Sequence, residues 1–298
     1  MNRRQTSSSR GPRSPEVTGF YEPDTGSVQY VVVDLATKKA AIVDPVLNFD
    51  PRHARTSTAA ADEILTFVRE RDLKVEWILD THPHADHFSA GAYLKDKLAA
   101  PHAIGAKVRD IAVLWRGFYN QPDAFAVEAC FDRLFADGDS FTIGMLPVRV
   151  ILSPGHTLGS ITLVVGDDAA LVHDTLMQPD SGSSRADFPG GDPAQLYRSI
   201  RAILALPPQM RLFVGHDYGP DGREPAWEAS VAEHKASNIH VKDGIGEAEF
   251  VKVRSERDKT LPFPDRMLYA LQVNLRGGRL PESESDGVSY FKIPANRF

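Results

Sequence analysis

The stretch T-H-P-H-A-D-H, Thr81 to His87, places three imidazoles and a carboxylate (His82, His84, Asp86 and His87) within six positions, directly after an apolar run. Residues two apart point the same way on an extended strand end, so His82 and His84 face one position, while Asp86 and His87 can turn toward a second beside it. One short loop can thus feed two adjacent metal positions. A merely solvated polar loop would need no matching ligands elsewhere. Here three follow: His156 in S-P-G-H-T-L-G-S (Ser153 to Ser160), Asp174 in V-H-D-T-L (Val172 to Leu176) and His216 in F-V-G-H-D-Y (Phe213 to Tyr218). Each stands after a short apolar stretch, Val148 to Leu152, Ala169 to Val172 and Leu212 to Val214, where strand ends are expected.

Neutral imidazoles and carboxylates suit zinc, iron, manganese or nickel, and the scarcity of thiolates argues against a closed structural zinc site. The site is therefore read as catalytic. Cys130 is the only cysteine, which excludes an intrachain disulfide framework and fits a reducing cytoplasm. No activating motif surrounds it, so it is read as a structural thiol. A net charge of -6 offers no footprint for a nucleic-acid backbone, and no apolar run approaches the length of a membrane span. With 298 residues, 42% of them hydrophobic, the chain can build a sizeable single core.

The first sixteen residues contain almost nothing apolar and are read as a disordered tail, with 17–298 as one domain. Val28 to Leu35 and Ala40 to Val43 form an opening hairpin across the polar turn Thr37 to Lys39. Helical spacing covers 58–71, Ser89 to Leu98, Ala106 to Trp115 and Asp192 to Leu204. Short strands alternate with turns from Leu134 to Val172, and helices dominate a C-terminal extension from about Pro225.

The seven ligands in this order resemble the metallo-β-lactamase superfamily, which implies an α/β architecture, an αββα sandwich with the metal site along one sheet edge. In hydrolases of that superfamily His82, His84 and His156 would hold one metal, Asp86, His87 and His216 a second, and Asp174 would bridge them. In an oxygenase, His82, His156 and Asp174 would bind a single Fe(II). The inventory of ligands does not separate the two. Further motifs do: M-Q-P-D-S-G-S-S-R-A-D-F-P-G-G (Met177 to Gly191), Q-V-N-L-R-G-G-R-L-P (Gln272 to Pro281) and G-V-S-Y-F-K-I-P-A-N (Gly287 to Asn296). Together these resemble the persulfide dioxygenases, also called sulfur dioxygenases, and among them a bacterial β-lactamase-like hydrolase branch. The resemblance runs from about residue 17 to the end.

That resemblance implies oxidation of glutathione persulfide, or a related small persulfide, by O2 and water to sulfite and thiol, with one Fe(II) per chain on His82, His156 and Asp174. His84, Asp86, His87 and His216 would support the site from a vacated second position. Arg185 would pair with a substrate carboxylate, Asp187 would hold that arginine or its loop, and Tyr218 would donate a hydrogen bond to the reacting atoms. A role in sulfide detoxification beside a rhodanese-type sulfurtransferase, and a homodimer, belong to the same expectation. The main rival is a dinuclear zinc thioesterase of the glyoxalase II kind, with two Zn(II); a lactonase comes third. His53, His102, His234 and His240 have no ligand partners nearby and are left out. His173 departs from the resembled pattern, which usually has glycine before the aspartate.

Overall fold

A computed structural model describes residues 4–297. The chain begins with β1 (Arg4–Ser7), β2 (Glu16–Glu22), β3 (Ser27–Asp34) and β4 (Lys39–Val43), a run of antiparallel neighbours. After β5 (Val46–Asp50), β6 (Arg55–Ser57) and α1 (Ala59–Glu70) comes β7 (Lys74–Leu79), which pairs parallel with β4. The sequence T-H-P-H-A-D-H leaves its end. Next are β8 (Phe88–Ser89), α2 (Gly91–Leu98), β9 (His102–Gly105), α3 (Val108–Tyr119), α4 (Val127–Cys130) and β10 (Arg133–Phe135). The first sheet thus orders seven strands as β1-β2-β3-β4-β7-β9-β10, while β6-β5-β8 form a small sheet of their own.

A second sheet takes the rest: β11 (Ser140–Ile143), β12 (Leu146–Leu152), β13 (Ile161–Val165), β14 (Ala169–His173), then across α5 (Pro193–Ile203) to β15 (Arg211–Val214) and β16 (Glu228–Ser230). Its neighbours are antiparallel except β14 and β15, which the helical crossover makes parallel. The C-terminal part adds α6 (Val231–Ser237), α7 (Glu247–Asp258) and α8 (Met267–Asn274).

Strand β3 shows why the layers stack as they do. Its β-branched run is buried on both faces, with Tyr30 and Val32 in the core shared with Val148, Val150 and Leu163 of the second sheet, and Val31 and Val33 packed with Ile64 and Phe67 of α1. On the far side, Leu196, Ile200 and Ile203 of α5 join the inter-sheet cluster. The result is the expected αββα sandwich. Helix α5 starts where Asp192 accepts the N–H groups of Ala194 and Gln195 with Pro193 at the first turn, and α6 carries a full capping box between Ser230 and Glu233. Among the described residues no helix is long and apolar enough to cross a membrane.

The N-terminal segment differs from its expectation. From Arg4 to Ser7 it is an edge strand in register with β2, Arg4 opposite Phe20 and Ser7 opposite Val17. Its anchor is polar: the buried guanidinium of Arg211 donates to Ser7 Oγ, Ser14 Oγ and the carbonyls of Ser8 and Pro15, at 2.9 to 3.3 Å. Polar contacts, not apolar packing, hold this segment to the sheet. Residues 1–3, the start of the expected tail, lie outside the described residues. Ahead of the C-terminal helices, β16 closes the second sheet through Leu212 and Ala229.

Candidate metal centre

Four strand ends converge on one edge of the sandwich and bring all seven expected ligands together. Donor atoms of His82, His156 and Asp174 lie within 4.8 Å of one another, with Asp174 Oδ2 at 3.5 Å from His82 Nε2 and 3.7 Å from His156 Nε2. All three residues are buried. His82 Nδ1–H donates to Thr81 Oγ1 at 3.0 Å, whose hydrogen goes on to Asp44 Oδ2 at 2.8 Å. His156 Nδ1–H donates to the Arg185 carbonyl at 2.8 Å. Both relays fix the tautomer that leaves an Nε2 lone pair facing Asp174.

The fit to a metal ion rests on orphaned atoms. His82 Nε2, His84 Nδ1 and His87 Nε2 are buried without a hydrogen-bond partner, an arrangement that costs about 1–3 kcal/mol per group unless something fills it. A cation on His82, His156 and Asp174 would satisfy His82 Nε2, while His84 Nδ1 and His87 Nε2 belong to the neighbouring group with Asp86. His84 Nε2 stands 3.0 Å from Asp44 Oδ1, off hydrogen-bond alignment, and burial together with the neighbouring His82 and His87 holds its imidazole well below the usual histidine range.

Asp86, His87 and His216 are arranged differently. His216 reaches Asp174 Oδ1 through Nδ1 at 2.6 Å and Asp86 Oδ2 through Nε2 at 2.7 Å, while His87 Nδ1 meets Asp86 Oδ2 at 3.0 Å. Burial alone would push His216 down, but the two carboxylates outweigh it and raise the imidazole well above its ordinary range. Burial conversely pushes Asp174 up, and the charge and hydrogen bonds of His216, with His82 beside it, leave that carboxyl well below the usual range. His216 thus lies between two carboxylates.

A cavity of about 660 Å³ opens onto His156, Asp174 and His216, a volume typical of small-molecule sites. Its wall holds two expected residues, one of them in an unexpected role. Arg185 spends its fork on Asp187, Nε to Oδ1 at 2.6 Å and Nη2 to Oδ2 at 2.8 Å, and stacks 4.7 Å from the ring of Phe188. That guanidinium is not free to receive a substrate carboxylate bidentately; the residue acts on the centre through its carbonyl, on His156. Asp187 does hold the arginine, as one of its expected roles required. Tyr218 lines the same cavity, stacks on His216 at 6.0 Å and is 67% exposed. Among the described residues no ion pair or hydrogen bond holds the side chain of Arg257 of α7, an exposed residue on this wall that no sequence motif marked.

The profile of the metallo-beta-lactamase superfamily matches residues 23–216, a span holding all seven ligands. The chain belongs to that superfamily. A curated relative, the beta-lactamase hydrolase-like protein of Xylella fastidiosa (strain Temecula1 / ATCC 700964), is 55% identical over 95% of this chain and 65% of its own length. The chain thus spans about two thirds of that relative. Glyoxylase B2 of Dictyostelium discoideum is 42% identical over 93% of this chain and 96% of its own, and human mitochondrial persulfide dioxygenase ETHE1 is 27% identical over 93% and 94%. The crystal structure of ETHE1 from Myxococcus xanthus superposes with a TM-score of 0.70 at 29% identity, covering 88% of this chain and 98% of that one.

Within this superfamily fold, several supporting residues had no signal in the spacing of ligands. Asn274 of α8 donates to the carbonyls of His84 and His87 at 2.8 and 2.9 Å and accepts Ser89 N–H at 2.7 Å, tying the metal loop down. That is a structural reason for the Q-V-N-L-R-G-G motif. Gly278, with φ of 89°, completes it: a Cβ there would sit 2.5 Å from the Ser89 carbonyl. Below the loop, Asp80 accepts from Ser89 Oγ and His102 Nε2 at 2.9 Å, which gives His102 a supporting place under the metal loop.

Proposed function

We propose that this chain is a persulfide dioxygenase working at a single metal centre on His82, His156 and Asp174, with iron as the metal and glutathione persulfide or a related small persulfide as the substrate. The observation that carries the reading is the state of the second ligand group. Asp86, His87 and His216 are hydrogen-bonded to one another, with both ring nitrogens of His216 against carboxylates. Of the other four, His84 stands beside Asp44, and His82, His156 and Asp174 share one position, two histidines and one carboxylate, a donor set that leaves positions free around iron.

The reaction balances as persulfide, O2 and water giving thiol, sulfite and two protons. An iron ion bound at the triad would supply adjacent positions at which the terminal persulfide sulfur and O2 meet. The chain's residues do the rest. His82 and His156 are held rigidly by Thr81 and by the Arg185 carbonyl, so reacting groups meet in a fixed geometry. Phe188 and Met177 give the cavity an apolar side for the sulfur, and Arg257 offers a cation for a carboxylate of the thiol carrier. The name and fold of the human and Myxococcus relatives support the reading.

A dinuclear thioesterase stays as the second reading because none of the seven ligands is missing and a closer relative is named a glyoxylase. Anaerobic purification, metal quantification and an oxygen electrode decide between them. One iron per chain with O2 uptake that depends on glutathione persulfide is the expected result. Two zinc ions, hydrolysis of a glutathione thioester and no O2 uptake would overturn it.

A further inference from the structure

Two loops that line the cavity are joined by one arginine. The loop ahead of α5 lines it with Met177, Asp180 and Ser181, and the loop ahead of β16 with Tyr218 and Pro220. From the second loop, the guanidinium of Arg223 grips Asp180 with Nε, at 2.5 Å to Oδ2, and Nη2, at 2.8 Å to Oδ1. It grips Asp217 with Nη1, at 2.5 Å to Oδ2, and Nη2, at 2.9 Å to Oδ1, while Nη1 also donates to the Glu224 carbonyl at 3.1 Å. All five donors of the guanidinium are thus committed, so this cation holds loops together and is not offered to a ligand.

The two grips differ in depth. Asp217 is a fixed post: its carboxylate is fully buried and also accepts the Ala226 N–H at 2.7 Å, and its main chain is tied to the Gly26 carbonyl at 3.0 Å and the Tyr21 hydroxyl at 3.1 Å. The side chain of Asp180 is 47% exposed. Among the described residues no other hydrogen bond or ion pair joins its loop to the turn 217–223. That turn is tight, with positive φ at Gly219, Asp221 and Gly222, and it presents Tyr218 and Pro220 to the cavity from the fixed side. The spacing of Asp180 from these two residues is therefore set by the width of one guanidinium, through an ion pair at the surface.

We propose that Asp180, Arg223 and Asp217 form a latch that sets the width of the cavity mouth and selects the substrate by size, admitting a small thiol carrier and holding back a bulkier one. The inference rests on the reading of the cavity as the site of a persulfide's thiol carrier, and it adds the residues that gauge that carrier. Asp180 and Arg223 act as positioning residues, through the loops they hold.

The test uses full-length wild type, Asp180→Ala and Asp180→Glu, with circular dichroism verifying the fold. Asp180→Ala opens the latch yet leaves Arg223 on Asp217, so no buried carboxylate loses its partner; Asp180→Glu keeps the charge. Amide hydrogen exchange over 177–185 should be about fivefold faster in Asp180→Ala, the scale of one partly exposed ion pair, and close to wild type in Asp180→Glu, while 217–226 keeps its protection in both. The aperture is read on Co(II)-loaded protein, where binding of glutathione and of coenzyme A is followed by the thiolate-to-cobalt absorption band. The ratio of their affinities should shift about fivefold toward coenzyme A in Asp180→Ala and stay at the wild-type value in Asp180→Glu. Unchanged exchange in a folded Asp180→Ala overturns the latch, and faster exchange with an unchanged affinity ratio overturns its role in selection. A wild type that binds neither thiol overturns the substrate reading and the selection together. Selective thiol binding by a wild type that shows no persulfide-dependent O2 uptake overturns the dioxygenase reading and leaves the latch standing.

Discussion

His173 has a φ of 41°, in the left-handed region, where β14 bulges against β15 immediately before the ligand Asp174. Glycine suits such a position, and any other residue bears about 1–2 kcal/mol of steric cost there. The imidazole recovers part of this by packing. Its Nε2 is 3.0 Å from Thr175 Oγ1 and 3.4 Å from Ser153 Oγ, while Nδ1 stays buried without a partner. His173→Gly should therefore shift stability little, lost packing offsetting relieved strain. His173→Val, β-branched in the same conformation, should be less stable than the glycine variant by about 2 kcal/mol. Urea denaturation of the metal-free chain measures both, and equal midpoints for the two variants would refute the strain argument. The departure from glycine was legible in the sequence, as were all seven ligands, because the metal loop is local and each later ligand follows its own apolar strand. Ser27 and Asp44 were not, since sheet register alone brings them to the site across 60 and 37 positions, measured to His87 and Thr81. Arg185 was legible as a site residue, yet its direction was not: only the fold reveals that Asp187 takes the fork and the carbonyl faces His156.

At the scale of elements, the metal loop depends on a helix almost two hundred residues away. Asn274 at the end of α8 satisfies two loop carbonyls and one loop N–H, all buried. Asn274→Ala leaves three such groups without partners, at about 1–3 kcal/mol each, and should cost the chain about 3 kcal/mol or more. The same variant should release metal to a chelator faster, because His84 and His87 lose their main-chain tether. Asn274→Asp retains the acceptor for Ser89 but loses both donors, so it should resemble alanine in both readouts. Thermal unfolding and the rate of metal loss check this; wild-type values in both variants would show that the loop holds itself. Elements with a clear period, the β3–β4 hairpin and helices α1, α2, α3 and α5, were readable from the sequence with ends shifted by a few residues. Strands β1 and β16 were not. Arg-Gln-Thr-Ser and Glu-Ala-Ser show no apolar alternation, and each is a strand because an edge of a finished sheet stands beside it.

Across the whole molecule, buried histidines make stability a function of pH. Burial lowers His156 and His234 to about 4, against an unfolded value near 6.5. Between those limits the unfolded chain binds protons that the native chain does not, so native stability is full above pH 6.5 and falls as the pH drops toward 4. Each histidine contributes about 3 kcal/mol to that slope at most. His216 acts with the opposite sign: its raised value adds stability that is complete below pH 6.5 and is lost as the pH rises through the native value. The acid side can be assigned cleanly through His234, which lies on α6 outside the ligand set and whose Nδ1 accepts from Asn238 at 3.1 Å. Glutamine in its place offers the same kind of acceptor but no proton site. Urea midpoints of metal-free His234→Gln should decline less steeply than wild type from pH 6.5 to 4, the two curves running parallel above pH 7. An unchanged acid slope would mean that His234 takes up its proton without unfolding, against the burial that encloses it.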